Sequence, residues 1–235
     1  MKKVLFVVHT LQVGGAERIL LNLLKYINKE EYDITVLALV NDGIYVEKLK
    51  KYDKIKYRYV FDSFFRKTRK NPKAKFHKTC KMLMNFIWKI YLLLIKYFPK
   101  ALYKKSVKEK YDVEIAFLEG KVSKFVANST NECSKKIAWI HTDINNVYGM
   151  NIFKNIKDEI NCYKKFNKIV CVSDEVKQRF MNKTGINENL YVQINPICTE
   201  EILEKSKEPI TKELNHNGRI ISSVGRLVPA KGYDR

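Results

Sequence analysis

The sequence predicts an α/β fold, a parallel sheet with helices packed on both of its faces. Three observations carry that expectation. Short apolar runs alternate with longer helix-like segments along the chain, the order that builds a doubly wound parallel sheet. Most of those runs are near-continuously apolar and do not alternate, as strands covered on both sides require. A composition of 46% hydrophobic and 30% charged residues belongs to a folded chain and not to a disordered one. At 235 residues the chain has room for one large core, or for one domain and the beginning of another.

The elements follow in order. The apolar run Val4 to Val8, "VLFVV" after Met1-Lys2-Lys3, is too short for the hydrophobic region of a signal peptide, and His9 interrupts it; it reads as the first strand. Without a secretory signal, the Asn-x-Thr/Ser matches at Asn128 and Asn182 are chance occurrences. Further strands are expected at Ile34 to Val40, Ile55 to Val60, Val113 to Leu118, Lys136 to His141, Lys168 to Val172 and Leu190 to Ile194. Helices are expected at Ala16 to Asn28, within Asn71 to Lys110, and at Ile152 to Phe166. A last one, Ser173 to Lys183, has Ser173 as N-cap and Gly185 as stop. Near Asn195-Pro196 the pattern changes. Thr199 to Asn217 reads as a helix and linker, and Arg219 to Val224 as a new strand. Residues 1–198 therefore form a Rossmann-like domain with a basic helical insertion at 66–110. Residues 199–217 link it to 218–235, a strand and loop too small to bury a core of their own.

The net charge of +20 is concentrated. Between Arg66 and Lys110 there are 15 Lys or Arg and one acidic residue, Glu109, a net +14 that leaves +6 for the rest of the chain. Such a block suits an anionic partner. Within it, "MLMNFIWKIYLLLIKYF" (Met82 to Phe98) is strongly apolar. On a helix, Lys78, Lys81, Asn85, Lys89 and Lys96 fall in a wedge of roughly 80°, with Trp88, Leu92, Leu93 and Ile95 expected to face outward as apolar surface. Lys89 near the centre of a spanning helix would cost about 3 kcal/mol, which argues against a span. An in-plane helix on an anionic membrane surface fits the pattern, with Lys78, Lys81, Trp88, Lys89 and Lys96 as contacts. A helix packed on the sheet, its lysines reaching out to water, is the other reading. Nucleic acid is not expected as a partner, because no recognised binding module accompanies the charge.

The five cysteines include no C-x-x-C pair, which excludes a zinc ribbon and a disulfide framework and fits a reducing cytoplasm. Ligands of an open parallel sheet bind beyond the carboxyl ends of its strands. Three segments lie there: His9 to Gly15, Glu119-Gly120, and His141-Thr142-Asp143. Gly14 and Gly15 precede a helix whose free N–H groups favour a phosphate, although a plain strand-to-helix turn accounts for them equally. In "GRLVPAKG" the cations Arg226 and Lys231 suit a diphosphate, and as single residues they are also ordinary surface.

Together, "GGAERILLNLL", "YDVEIAFLEG", "KIAWIHTDI", "KIVCVSDEVKQRF", "VQINPI" and "VGRLVPAKGYDR" resemble the retaining family-four glycosyltransferases, which have the two-domain GT-B fold. The resemblance implies hexosyl transfer from a nucleotide-diphospho-sugar to a lipid-linked or polysaccharide acceptor. It implies Gly14 and Gly15 near the donor diphosphate, His141 beside the transferred sugar as catalytic residue, and Arg226 and Lys231 clamping the departing diphosphate. Glu119 and Asp143 fall at the acceptor side of the cleft. No cofactor and no metal are implied, the nucleotide sugar being a substrate, and no Asp-x-Asp triplet occurs. The location implied is cytoplasmic, peripheral on the inner face of the cell membrane. The family's Glu-x7-Glu motif lies beyond the "GRL…KG" loop, where this sequence ends. The expectation is therefore an incomplete donor domain, with no sugar transfer by this chain alone and a missing C-terminal domain or partner chain.

Two readings of other classes stand beside it. One is a non-catalytic module that holds an anionic lipid or partner chain through the basic helix. The other, a nucleotide-binding oxidoreductase domain, is disfavoured: the first strand lacks G-x-G-x-x-G, and "DITVLALV" has no acidic residue at its end before the Asn41-Asp42-Gly43 turn.

Overall fold

Five consecutive apolar side chains, Val4 to Val8, are buried in β1 (Lys2–Val8), an interior strand of the sheet. The computed structural model describes residues 1–62, 77–145, 152–209, 218–219, 221, 223–225 and 232–233, the side chains of 77–85 excepted. Around β1 run β2 (Tyr32–Asn41), β3 (Ile55–Asp62), β4 (Val113–Ala116), β5 (Lys135–Ile140), β6 (Lys168–Cys171) and β7 (Leu190–Val192). All pair in parallel, in the order β3-β2-β1-β4-β5-β6-β7. These are the seven strands expected of residues 1–198.

Side chains of successive strand residues leave opposite faces, so β1 feeds two cores. Val4, Phe6 and Val8 pack with Ile34, Val36 and Ala38 against α1 (Gly15–Tyr26) and α2 (Tyr45–Lys50). Leu5 and Val7 pack with Leu37 and Leu39 against a larger helix layer. That layer contains α3 (His77–Tyr97), α4 (Pro99–Ser106), α5 (Lys121–Ala127), α6 (Ile156–Tyr163) and α7 (Asp174–Thr184). Each fully buried Leu or Phe contributes about 1.5–3 kcal/mol relative to exposure, which is why both faces must be covered.

Local chemistry sets the helix ends. Ser173 accepts a hydrogen bond from the Val176 amide at 3.2 Å, and Gly185 stops α7 at φ +69°, as expected of both. Asn155 caps α6 by accepting from the Asp158 amide at 2.9 Å. That helix is shorter than expected because residues 152–155 form the approach to the cap, with Ile152 and Phe153 buried. The long helix expected within Asn71 to Lys110 is two helices, because Pro99 has no N–H to continue α3 and serves as the first residue of α4. The short helices α2 and α5 were not expected; six and seven residues carry too little periodicity to stand out.

The chain divides into two compact units, Met1–Ile197 and Cys198–Arg235. In the second, α8 (Thr199–Lys205) buries no side chain. The described residues of the expected strand Arg219 to Val224 are not in a ladder, and Ile221 and Val224 are fully exposed. A lone apolar strand has no partner for its backbone groups, and the described part of this unit supplies none.

Candidate functional site

The strand order fixes where a ligand would bind. The chain winds from β1 outward to β3, then returns to the other side of β1 for β4, so the switch point lies between the carboxyl ends of β1 and β4. The loop after β1 and the loop after β4 meet there, and the loop after β5 adjoins them.

The β1 loop is held rigidly at its base. The Leu11 amide donates to the Asp42 carbonyl at 2.7 Å, and the Tyr45 amide donates to the Leu11 carbonyl at 3.1 Å. The Gln12 amide side chain reaches the Asp42 carboxylate at 2.5 Å. This close approach depends on Gly43, which has φ +124° and whose missing Cβ would lie 1.9 Å from the Leu11 carbonyl carbon and oxygen.

Beyond that base the two glycines differ. Gly14 is the N-cap of α1 in extended backbone (φ −158°), so its conformation is open to any residue. Its missing Cβ makes room for Glu17, whose Oε2 lies 2.1 Å from where that Cβ would be. Gly15 opens α1 with nothing within 4 Å of its own Cβ position. Glu17, which sequence reasoning missed, therefore folds back over the positive end of its own helix. Burial pushes its carboxyl above the usual range, the bond from its own backbone amide pulls it down, and repulsion from Glu119 pushes it up again. The signal was present: a Glu three residues after an N-cap is the capping-box position.

Glu119 is only 4% exposed, at the end of the β4 loop. Its carboxylate accepts from the His141 amide at 3.2 Å and from the Thr142 hydroxyl at 2.5 Å, tying the β4 loop to the β5 loop. Gly120 follows at φ +72°, ψ −111°, a conformation reserved for glycine, and turns the chain into α5. Beneath these loops a cavity of about 330 Å³ is lined by Glu119, Ile144, Phe153, Glu159, Tyr163 and Lys183, among others.

The His141 ring stacks on Trp139 at 6.1 Å and 11° and meets Phe117 at 4.9 Å. Burial pushes its pKa down to about 4, against a hydrogen bond to the Phe117 backbone that pulls it up. His141 is thus neutral at pH 7. The Phe117 bond takes one ring nitrogen, and buried Nε2 has no partner among the described residues. In a neutral imidazole whose Nδ1–H donates to a backbone carbonyl, Nε2 is a hydrogen-bond acceptor.

Asp143 has a different setting. Its carboxylate accepts from the Asn145 amide at 3.0 Å and from Arg179 at 2.6 Å; the amide bond first, then the guanidinium, hold its pKa below the usual range. Arg179 also binds Glu175 at 2.7 Å, so Asp143 pins the β5 loop to α7. Of the residues singled out in the sequence, Gly14, Gly15, Glu119 and His141 come to the switch-point loops, and Asp143 is the strut beside them. Arg226 and Lys231 lie outside the described residues. No cluster of three His, Cys, Asp or Glu suited to a metal ion occurs among the described residues.

The basic helix corrects one expectation. Trp88, expected on the outward face, is half-buried against Tyr91 at 4.8 Å and His9 at 6.2 Å, with the Lys121 ammonium 5.3 Å from its ring. Ile95, also expected outward, is fully buried. The sheet covers the face that carries Tyr91 and Ile95, and the aromatic belt of Trp88 closes the carboxyl end of that core. Leu93 and Lys89 are exposed as expected. The backbone of Lys78 and Lys81 lies in α3, and their side chains lie outside the described residues. No helix among the described residues is long and apolar enough to cross a membrane.

No family profile and no curated protein sequence matches the chain. Solved structures of glycosyltransferases do. HepE of Anabaena, in complex with UDP and glucose, superposes with a TM-score of 0.52 at 14% identity, over 84% of this chain and 45% of that one. A mutant of TarM from S. aureus, in complex with fondaparinux, α-GlcNAc-glycerol and UDP, gives 0.52 at 14%, over 84% of this chain and 62% of that one. TarM alone gives 0.51 at 14%. The chain spans about half of HepE and less than two thirds of TarM. At this identity the likeness is one of fold: a Rossmann-like α/β domain of the kind found in GT-B glycosyltransferases.

Proposed function

We propose that this chain is the acceptor-side half of a retaining glycosyltransferase, acting on a nucleotide-diphospho-sugar and a lipid-linked or glycan acceptor. The observation that carries the reading is the convergence, at the switch point of the sheet, of an anion-favouring helix start at Gly15 and a neutral His141 whose buried Nε2 has no partner among the described residues. A sugar diphosphate needs both. The first-turn amides of α1 stabilise the charge that gathers on the diphosphate as the sugar–phosphate bond breaks, more than they stabilise the ground state. His141 Nε2 accepts a hydroxyl of the sugar and fixes its orientation, and the Trp139 and Phe117 rings hold the imidazole in place. Glu119 and Asp143 position the loop that carries His141 and do not touch reacting atoms in this scheme. Arg226 and Lys231 complete it as counter-charges to the leaving diphosphate. HepE and TarM, each crystallised with UDP, support a UDP-sugar as donor.

The test is an amide chemical-shift titration of the ¹⁵N-labelled chain with UDP-glucose and GDP-mannose. Shifts confined to Gly15, Ala16 and the 139–142 segment are expected, strongest with the UDP-sugar. Shifts centred elsewhere, or none at millimolar donor, sink the reading.

A further inference from the structure

A second site lies in the helix layer. Asn128 and Thr130 lead into β5 and Lys165 leads into β6, so they mark the amino ends of the strands. Between them and the α3–α4 corner is a cavity of about 590 Å³. Six lysines line it: Lys96, Lys100, Lys104, Lys124, Lys154 and Lys165. Asp158 is the single acidic residue among its described lining, and it is already engaged, accepting from Lys124 Nζ at 2.7 Å and from the Lys154 amide at 2.9 Å. Lys124 is 4% exposed and also donates to the Ile152 carbonyl at 3.1 Å. The ammonium groups of Lys96 and Lys154 both approach the Tyr97 ring, at 5.8 and 5.5 Å. The start of α4 opens on the same space. Phe98 gives it no side-chain cap, its first turn holds no acid, and Lys100 and Ala101 line the cavity. Positive charge gathered this densely around a concave space repels itself until an anion is present.

The cavity opens onto an apolar ridge. Phe86, Ile90, Leu93 and Tyr97 fall within roughly 60° of arc on α3, opposite the face that buries Tyr91 and Ile95. All four are exposed, Phe86 by 61% and Leu93 by 51%, and Phe98 extends the row at 61%. A helix apolar on both faces has a second partner to find. Tyr97 and Phe98 belong to both the ridge and the cavity wall, so one occupant must satisfy an apolar strip and a cationic pocket side by side.

We propose that the α3–α4 face docks on an anionic phospholipid bilayer, with the ridge from Phe86 to Phe98 entering the head-group boundary and a lipid phosphate entering the lysine cavity. A soluble phosphate has no use for the ridge, and an apolar protein partner has none for the five ammonium groups that Asp158 does not engage. The proposal is independent of the glycosyl-transfer reading, since it uses different side chains and the two tests read different residues.

The experiment is co-sedimentation of the full chain with vesicles of phosphatidylglycerol and phosphatidylcholine, against phosphatidylcholine alone, at about 0.1 M salt. Binding to the anionic vesicles only is expected, with hydrogen–deuterium exchange slowed at 86–104. Lys100→Glu with Lys104→Glu, both solvent-exposed, should weaken binding at least about tenfold. Leu93→Asn should weaken vesicle binding and leave the weak binding of soluble glycerol phosphate unchanged. The pair Lys48→Glu, on α2, and Lys51→Glu, at its C-cap, makes the same change in net charge and should cost less than about threefold. The proposal is overturned by absent vesicle binding, by equal losses in the two double variants, by exchange that stays unchanged at 86–104, or by glycerol phosphate binding as tightly as the vesicles do.

Discussion

Replacing Gly43 with alanine should destabilise the fold strongly, and more than the same change at Gly14, Gly15 or Gly185. The added Cβ would lie 1.9 Å from the Leu11 carbonyl carbon and oxygen and 2.2 Å from the Gln12 nitrogen, all backbone atoms with no rotamer to relax. Ordinary contact needs about 3.5 Å, so the two loops must part by roughly 1.5 Å. Parting them removes the Leu11-to-Asp42 and Tyr45-to-Leu11 hydrogen bonds, worth about 0.5–1.5 kcal/mol each. A side chain at φ +124° adds strain of about 1–2 kcal/mol. The expected loss is about 2–5 kcal/mol, a large part of the 5–15 kcal/mol typical of a domain. Urea unfolding followed by far-UV circular dichroism measures it as a fall in midpoint at constant slope. A midpoint equal to that of the unsubstituted chain would refute the claim that Gly43 sets the shape of the β1 loop.

Gly15→Ala is the converse: with nothing within 4 Å and no positive φ, it should leave stability unchanged or raise it by up to about 1 kcal/mol, and erase the UDP-glucose shifts at the α1 start. Retained shifts would assign Gly15 to the turn alone. His141→Gln tests the buried imidazole. Because its pKa falls from 6.5 to about 4 on folding, the unfolded chain binds a proton between those values that the folded chain refuses. The stability of the neutral form is complete above about pH 6.5 and lost as pH falls toward 4, by at most about 3 kcal/mol. The stability difference between the unsubstituted chain and the Gln variant should shrink by that amount from pH 7 to 4; a constant difference would disprove it. Tyr103→Phe removes the hydroxyl that donates to fully buried Glu114 at 2.7 Å and should cost about 1–3 kcal/mol in the same urea assay. A cost near zero would mean that Glu114 finds another donor.

The sheet was legible because a buried parallel strand writes itself as an apolar run, and all seven runs became strands. The switch-point loops were legible for the same reason, since each begins where a run ends. The direction of the apolar α3 was not. Trp88 and Leu93 are both large and apolar, and nothing in their spacing says which one meets the sheet; that depends on β1 and β2 being covered on that side. The split at Pro99 had a readable signal in the proline itself. Asp143 looked like chemistry because a carboxylate follows His141 closely, whereas its partner Arg179 is distant in sequence and arrives only through α7.

The two adjacent glycines have unequal work, and the difference bears on how the site would take an anion. Gly14 makes space for the Glu17 carboxylate, so the positive start of α1 already holds a negative group of its own. A diphosphate arriving at Gly15 would meet that carboxylate at close range, with Glu119 behind it, and like charges in a poorly hydrated loop repel strongly. Glu17 must then leave, by rotating into solvent or by taking a proton, and its raised pKa lowers the cost of the second route. Glu17→Gln keeps the shape and removes the charge. It should tighten UDP-glucose binding at pH 7 and flatten the gain in affinity that the unsubstituted chain shows as pH drops toward 5. Calorimetry or the amide titration at both pH values measures this. Weaker binding by the Gln variant would mean that the carboxylate is part of the receptor, and that Gly14 is there to aim it at the sugar.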